Sequence, residues 1–252
     1  MPDLDGQIAL VTGSSRGIGA AIATRFAAAG AAVVVHGRDP DAVTAVAAQI
    51  GKAGSRAFAA VADLTQYDQV AAMRAAIEEH LGPVSIVVAN AGGNPVRPGP
   101  IEEISEAGWR ASVDSNLTAT FFTVKAFLPG MKERGRGTII AMSSAAARRP
   151  TAASPAAYAA AKAGIELLVK QVAIQAGPFG IRANCLAPET IMTERNQEQI
   201  PAAIQDQLRQ NHPVRRLGTP EDVAQAALFL ASDRSSWISG VTVDVAGGSV
   251  LV

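Results

Sequence analysis

The chain has 252 residues, 22 Lys plus Arg against 22 Asp plus Glu, and 48% hydrophobic content. This balance excludes the basic footprint of a nucleic-acid or anionic-membrane binder, and the apolar fraction is ample for a core. The one cysteine, Cys185, excludes an internal disulfide, fits a reducing cytoplasm and reads as a buried thiol rather than a nucleophile.

In chain order, short apolar runs alternate with longer Ala-rich stretches of helical period. Residues 8–11 read as a strand and 17–29 as a helix ended by Gly30. Strand 32–35 is followed by helix 41–50, strand 56–61 by helix 66–80, and strand 85–89 by a long helix carrying Phe121 and Phe122. Further strands are expected at 139–142, 181–186 and 241–245. Strands that are apolar on both faces, each followed by a helix, call for a parallel sheet covered on both sides. The expectation is α/β: a single doubly wound Rossmann-type domain over 1–252 with about seven parallel strands. Residues 92–100, with three prolines and three glycines, and the polar stretch 189–212 break the rhythm. Both follow strand ends, where the ligand crevice of such sheets lies.

The N-terminal Met1-Pro2-Asp3-Leu4-Asp5-Gly6 lacks the basic and apolar regions of a signal peptide, and no apolar run approaches the ~20 residues that span a bilayer. A cytoplasmic protein is expected, with no membrane and no nucleic-acid partner. His36, His80 and His212 are scattered without ligand spacing, so no metal is expected. Trp109 and Trp237 are expected to pack helices.

Directly after the first strand stands Thr12-Gly13-Ser14-Ser15-Arg16-Gly17-Ile18-Gly19. A strand, a Gly-rich turn and a helix start form the context in which backbone N–H groups receive phosphate. Gly13 permits the turn, Gly17 lets a pyrophosphate approach, and Gly19 lets helix and strand pack closely. An ordinary tight turn fits the spacing equally well. At the end of the second strand an acid would bind a ribose 2′-hydroxyl, whereas Arg would accommodate a 2′-phosphate. Gly37 occupies the acid's place and Arg38 follows, with Arg16 able to approach from the turn. Two guanidiniums suit a dianionic phosphate, so NADP(H) is preferred; Asp39 keeps NAD(H) open.

Tyr158 and Lys162 stand four residues apart, on one face of a helix. A nearby cation favours phenolate and lowers a Tyr pKa, making it a usable general acid or base. The pair follows Ser143-Ser144.

Together these residues resemble the short-chain dehydrogenase/reductase family over nearly the whole chain. The glycine turn matches its Thr-Gly-x-x-x-Gly-x-Gly, Asp63 its adenine-contacting acid, and Asn90-Ala91-Gly92 its Asn-Ala-Gly. Asn116, Ser144, Tyr158 and Lys162 match its active-site residues, Asn184 and Pro188 its Asn-x-x-x-Pro, and residues 243–248 its C-terminal Val-Asp-Gly-Gly with Val245 and Ala246 inserted. The likeness is nearest to 3-oxoacyl-carrier-protein reductases and related carbonyl reductases. It implies cofactor contacts at Gly13, Ser15, Arg16, Gly17, Ile18 and Gly19, at Arg38, at Asp63 and Leu64, and at Asn90, Ala91 and Gly92. Tyr158, Lys162, Pro188 and Ile191 complete that set.

The resemblance also implies reversible hydride transfer between NADP(H) and a carbonyl or secondary alcohol on a small molecule. Ser144 would hydrogen-bond the substrate oxygen, Tyr158 would move its proton, and Lys162 would lower the Tyr158 pKa and hold the nicotinamide ribose. Asn116 would position a water beside Lys162. A homotetramer is the family expectation. Two departures stand out: Glu189 replaces the usual Gly after Pro188, and Phe179 replaces a basic carrier-docking residue. Docking of an acyl-carrier protein is therefore doubtful; Lys132, Arg134 and Arg136 could supply charge nearby, though they read equally as a solvated surface loop. The alternatives are an NAD-dependent secondary-alcohol, sugar or steroid dehydrogenase, and a non-catalytic dinucleotide-binding sensor.

Overall fold

The computed structural model describes residues 3–96, 98–151 and 154–251. Met1, Pro2, Arg97, Ala152, Ala153 and Val252 lie outside the described residues, and so do the parts of the N-terminal and 92–100 expectations that fall on them. Seven parallel strands form one sheet in the order β3-β2-β1-β4-β5-β6-β7. They are β1 (Ile8–Val11), β2 (Ala32–Gly37), β3 (Ala57–Val61), β4 (Ile86–Ala89), β5 (Gly137–Met142), β6 (Ile181–Pro188) and β7 (Thr242–Val245).

Helices cover both faces because the strands are apolar on both. On one side, Leu10, Val34, Val87, Ile139 and Ala183 meet α3 (Tyr67–Leu81), α5 (Ala119–Arg134) and α7 (Ala156–Ala176) through Ile77, Phe127 and Ile165. On the other, Val11, Val33, Val88, Ile140 and Leu186 meet α1 (Gly17–Ala28), α2 (Pro40–Lys52) and α10 (Pro220–Ala231) through Ile22, Phe26, Val43 and Leu230. Alternate residues of each strand feed the two cores, and each fully buried Leu, Ile or Phe contributes roughly 1.5–3 kcal/mol.

The remaining elements are short. α4 (Glu106–Val113) runs through a π turn, Asp114–Thr118, into α5, and α6 (Ala145–Arg148) follows β5. The stretch 189–212, read as irregular, holds α8 (Glu194–Gln199) and α9 (Ala202–Asn211). Neither buries a side chain fully, so neither has the apolar period that reveals a helix; Thr193 caps α8 by accepting from Asn196 N at 3.3 Å.

Strand β2 runs two residues beyond the expected 32–35, carrying His36 and Gly37 into the sheet. The expectation that both tryptophans pack helices fails: Trp237 is 99% exposed and Trp109 46%. Trp237 lies in the turn before β7, beyond the reach of either core. Among the described residues no helix is long and apolar enough to cross a membrane.

Candidate active site

A cleft of about 1190 Å³ runs along the carboxyl ends of the strands, from the glycine turn to the loop after β6. At its head, hydrogen bonds tie β1 to β4. Thr12 Oγ1 accepts from Asn90 N and Ala91 N, both at 3.0 Å, while Asn90 Nδ2 donates to Thr12 O at 2.9 Å and Gly13 O at 3.1 Å. A side chain on Gly19 would begin 2.3 Å from Gly13 O, so only glycine lets the first turn of α1 lie this close to the strand end. Arg16, at the N-cap, makes no side-chain cap, which leaves the first N–H groups of α1 to an anion.

His36 braces this turn. Gly13 N donates to its Nδ1 at 3.1 Å, and its Nε2 lies 3.2 Å from Ala62 O, which assigns the ring proton to Nε2. Burial pushes its pKa down to about 4, so the ring is neutral near pH 7. The next residue but one from β3, Asp63, accepts from Thr65 N at 2.9 Å and Thr65 Oγ1 at 2.8 Å. Those two bonds, aided by Arg38, hold its carboxyl below the usual carboxylate range. Asp39 caps α2, its Oδ1 accepting from Asp41 N at 3.1 Å and Ala42 N at 3.2 Å. Among the described residues the Arg16 and Arg38 guanidiniums make no hydrogen bond or ion pair, and both line the cleft.

Toward the middle stand Ser144, Tyr158 and Lys162. Ser144, after β5, caps α6 with its Oγ accepting from Ala146 N at 3.2 Å. Tyr158 and Lys162 project from the first two turns of α7. Lys162 Nζ donates to Met142 O at 2.7 Å and lies 5.5 Å from the Tyr158 ring centroid. Burial pushes the Lys162 pKa down to about 8.

The expected downward pull of Lys162 on the phenol is not what governs Tyr158: burial raises its pKa, and a hydrogen bond with Ser144 is the opposing influence. The Lys162 ammonium is hydrogen-bonded to the Met142 carbonyl. Asn116 does not line the cleft; Ser115 does. From the π turn, Asn116 Nδ2 donates to Gly93 O at 2.8 Å and Ser112 O at 2.9 Å, and its Oδ1 accepts from Gly93 N at 3.2 Å. It thereby locks the cleft wall formed by residues 92–93.

Behind Ser144 an ion cluster joins three elements. Arg148 pairs with Asp244 of β7 at 3.1 and 3.3 Å and with Glu166 of α7 at 3.4 Å; Ser143 Oγ donates to the other Glu166 oxygen at 2.6 Å. In the loop after β6 Ile191 bridges to Gly218 and accepts from Asn196 Nδ2 at 2.7 Å, and a side chain on Gly17 would begin 3.2 Å from Cγ2 of Thr193, the N-cap of α8. Glu189 pairs with His212 at the end of α9 and accepts from Ser249 Oγ at 3.2 Å, while its other oxygen accepts from Thr190 Oγ1 at 3.2 Å.

Every residue expected to contact the dinucleotide lines this one cleft, from Gly13 to Ile191. Thr12, His36, Thr190 and Thr193 were not singled out from sequence; Thr12 stood inside the quoted turn, and His36 was weighed only for metal-ligand spacing. Cys185 is fully buried, and burial raises its thiol pKa to about 12, which leaves it unreactive.

Comparison with known proteins accords with this geometry. Residues 13–249 match the family model described as enoyl-(acyl carrier protein) reductase. The 7alpha-hydroxysteroid dehydrogenase of Escherichia coli K12 is 37% identical over 247 residues, covering 98% of this chain and 95% of that protein. The structure of a gluconate 5-dehydrogenase from Burkholderia cenocepacia, in complex with NADP and tartrate, is 35% identical with a TM-score of 0.92, covering 98% of this chain and 96% of that one. A 3-oxoacyl-[acyl-carrier protein] reductase from Brucella melitensis with bound NAD is also 35% identical with a TM-score of 0.92, covering 100% and 94%. The chain belongs to the short-chain dehydrogenase/reductase family, whose members are oxidoreductases acting on carbonyl and alcohol groups.

Proposed function

We propose that residues 1–252 form one catalytic unit, an NADP(H)-dependent ketoreductase that interconverts a carbonyl and a secondary alcohol on a small molecule. The observation that carries this reading is the convergence of Ser144, Tyr158 and Lys162 in a cleft whose head offers an uncapped helix start and two guanidiniums. That head fits a dinucleotide: the Gly19 contact admits no side chain, and Asp63 is fixed as a carboxylate beside Arg38.

Three features favour the phosphorylated cofactor. Asp39 is spent on capping α2. A side chain at Gly37 would begin 2.8 Å from Val43 Cγ2 and 3.2 Å from Ser15 Oγ, so an acid has no room at the position that would read a 2′-hydroxyl. Arg38 and Arg16 supply charge for a 2′-phosphate. The Brucella relative with bound NAD marks the competing reading.

When bound, the nicotinamide supplies or accepts the hydride. The chain's own residues manage one proton. Ser144 Oγ donates to the substrate oxygen, and Tyr158 Oη gives that oxygen a proton in reduction and removes it in oxidation. Burial keeps the phenol protonated near pH 7, the form that donates in reduction. Lys162, with one N–H spent on Met142, has others for the nicotinamide ribose. Asn116 keeps the wall at Gly93 closed beside them.

A free carbonyl is favoured over a carrier-borne one. Lys132 lies over the Phe179 ring at 4.9 Å, and Arg134 donates to Val84 O at 2.7 Å, so two of the three nearby cations are engaged. We further propose a cytoplasmic homotetramer. Phe121 on α5 and Leu167 and Ile174 on α7 are exposed, whereas Phe122 packs on the core, so an apolar face remains for a second copy.

The test follows NADPH absorbance with a panel of ketones, diketones, keto-sugars, keto acids and a 3-oxoacyl thioester. Turnover by the wild type, reduced at least about a hundredfold in Tyr158→Phe with NADPH binding retained, supports the reading. Equal turnover in Tyr158→Phe contradicts the mechanism.

A further inference from the structure

A second chamber of about 380 Å³ adjoins the cleft and shares Ser144, Pro188, Glu189 and Thr190 with it. Its other polar walls are Arg149, Thr151 and Ser154. Placed beside the hydroxyl proposed to bind the substrate oxygen, it is where the rest of a substrate would extend.

Its chemistry is uneven. Arg148 and Arg149 are adjacent, yet their guanidiniums have different fates. Arg148 is consumed by Asp244 and Glu166, while Arg149, exposed at the end of α6, makes no hydrogen bond or ion pair among the described residues. The chamber's carboxylate, Glu189, has both oxygens engaged, one by His212 and Ser249 and the other by Thr190. Glu189 shares the chamber without pairing with Arg149. The hydroxyls around it are paired: Ser154 Oγ accepts from Thr151 N at 2.9 Å and lies 3.2 Å from Thr151 Oγ1, and Thr190 Oγ1 donates to Glu189. The chamber therefore offers one uncommitted planar cationic donor.

We infer that the substrate carries a carboxylate, or an equivalent anion, received by Arg149. Ser144 and Arg149 cap the two ends of α6, about 7.5 Å of helical rise apart. The anion accordingly sits away from the reacting carbon, as in a keto acid. The inference rests on the oxidoreductase reading, because it takes Ser144 to mark the reacting end.

The test uses Tyr158→Phe enzyme loaded with NADPH, so that ligands bind without turning over. Fluorescence of the bound NADPH reports titration with tartrate and gluconate against their uncharged counterparts threitol and sorbitol. The expected result is that at least one acid binds roughly tenfold or more tighter than its polyol. Adding Arg149→Gln removes that preference, Arg149→Lys restores part of it, and NADPH affinity is unchanged throughout. Acids and polyols bound alike, or a preference that survives Arg149→Gln, would overturn the inference. Failure of both NADPH and NADH to bind the Tyr158→Phe enzyme is a separate signal that removes the catalytic reading of the cleft and this inference with it.

Discussion

The two ends of the cleft are built differently. The dinucleotide end is made of backbone. Gly13, Gly19 and Gly37 approach other atoms too closely for a side chain, and Thr12, Asn90 and His36 hold them with hydrogen bonds between strand ends. The substrate end is made of side chains on short helices and loops: Arg149 at the end of α6, Glu189 after β6, and His212 after α9. A backbone template serves one invariant ligand and tolerates little change, whereas side chains on loops can be exchanged without moving the sheet. That contrast explains how similar chains with bound NADP or NAD carry the names of steroid, gluconate and acyl-carrier substrates.

If the dinucleotide end is a rigid template, Gly19→Val should do the most damage. Its Cβ would overlap Gly13 O, and NADPH binding measured by fluorescence should weaken roughly a hundredfold or more. Retained affinity would show that the turn is pliable and dissolve the contrast.

His36 tests the same template through pH. Its folded pKa, about 4, lies below the unfolded value of 6.5, so the unfolded chain binds more protons between those pH values. Stability is then full above about pH 6.5 and falls by about 3 kcal/mol as pH drops through 4. His36→Gln, which keeps one donor and one acceptor, should flatten that limb of a denaturant-midpoint profile. An unchanged profile would remove His36 as the brace.

A smaller effect is expected where the two ends meet. Arg148→Met leaves Asp244 and Glu166 without their cation and loosens α6, and should lower stability by about 1–3 kcal/mol. Because Arg148 belongs to α6, the helix that Ser144 caps, kcat should fall while the Kd for NADPH holds. A change in Kd alone would place Arg148 with the cofactor instead.

The same contrast governs what could be read from the sequence. Parallel strands show as apolar runs, and the phosphate turn as fixed glycine spacing, because backbone geometry restricts which residues can stand there. The dyad was legible because a helix fixes the relation of i to i+4. The sign of the Tyr158 shift was not, since burial depends on packing from other segments. Helices α8 and α9 were missed because they bury no apolar stripe, and the Glu189–His212 pair because 23 positions separate its members, from Glu189 to His212. His36 looked isolated until β2 extended far enough to set it between Gly13 and Ala62.

Kd values for NADPH and NADH in wild type and Arg38→Ala decide whether the dinucleotide end is shaped for a 2′-phosphate. NADPH should bind the wild type roughly tenfold or more tighter than NADH, with most of that difference lost in the variant and NADH affinity little changed. NADH bound as tightly as NADPH, or a preference indifferent to Arg38, would contradict a fit to the 2′-phosphate.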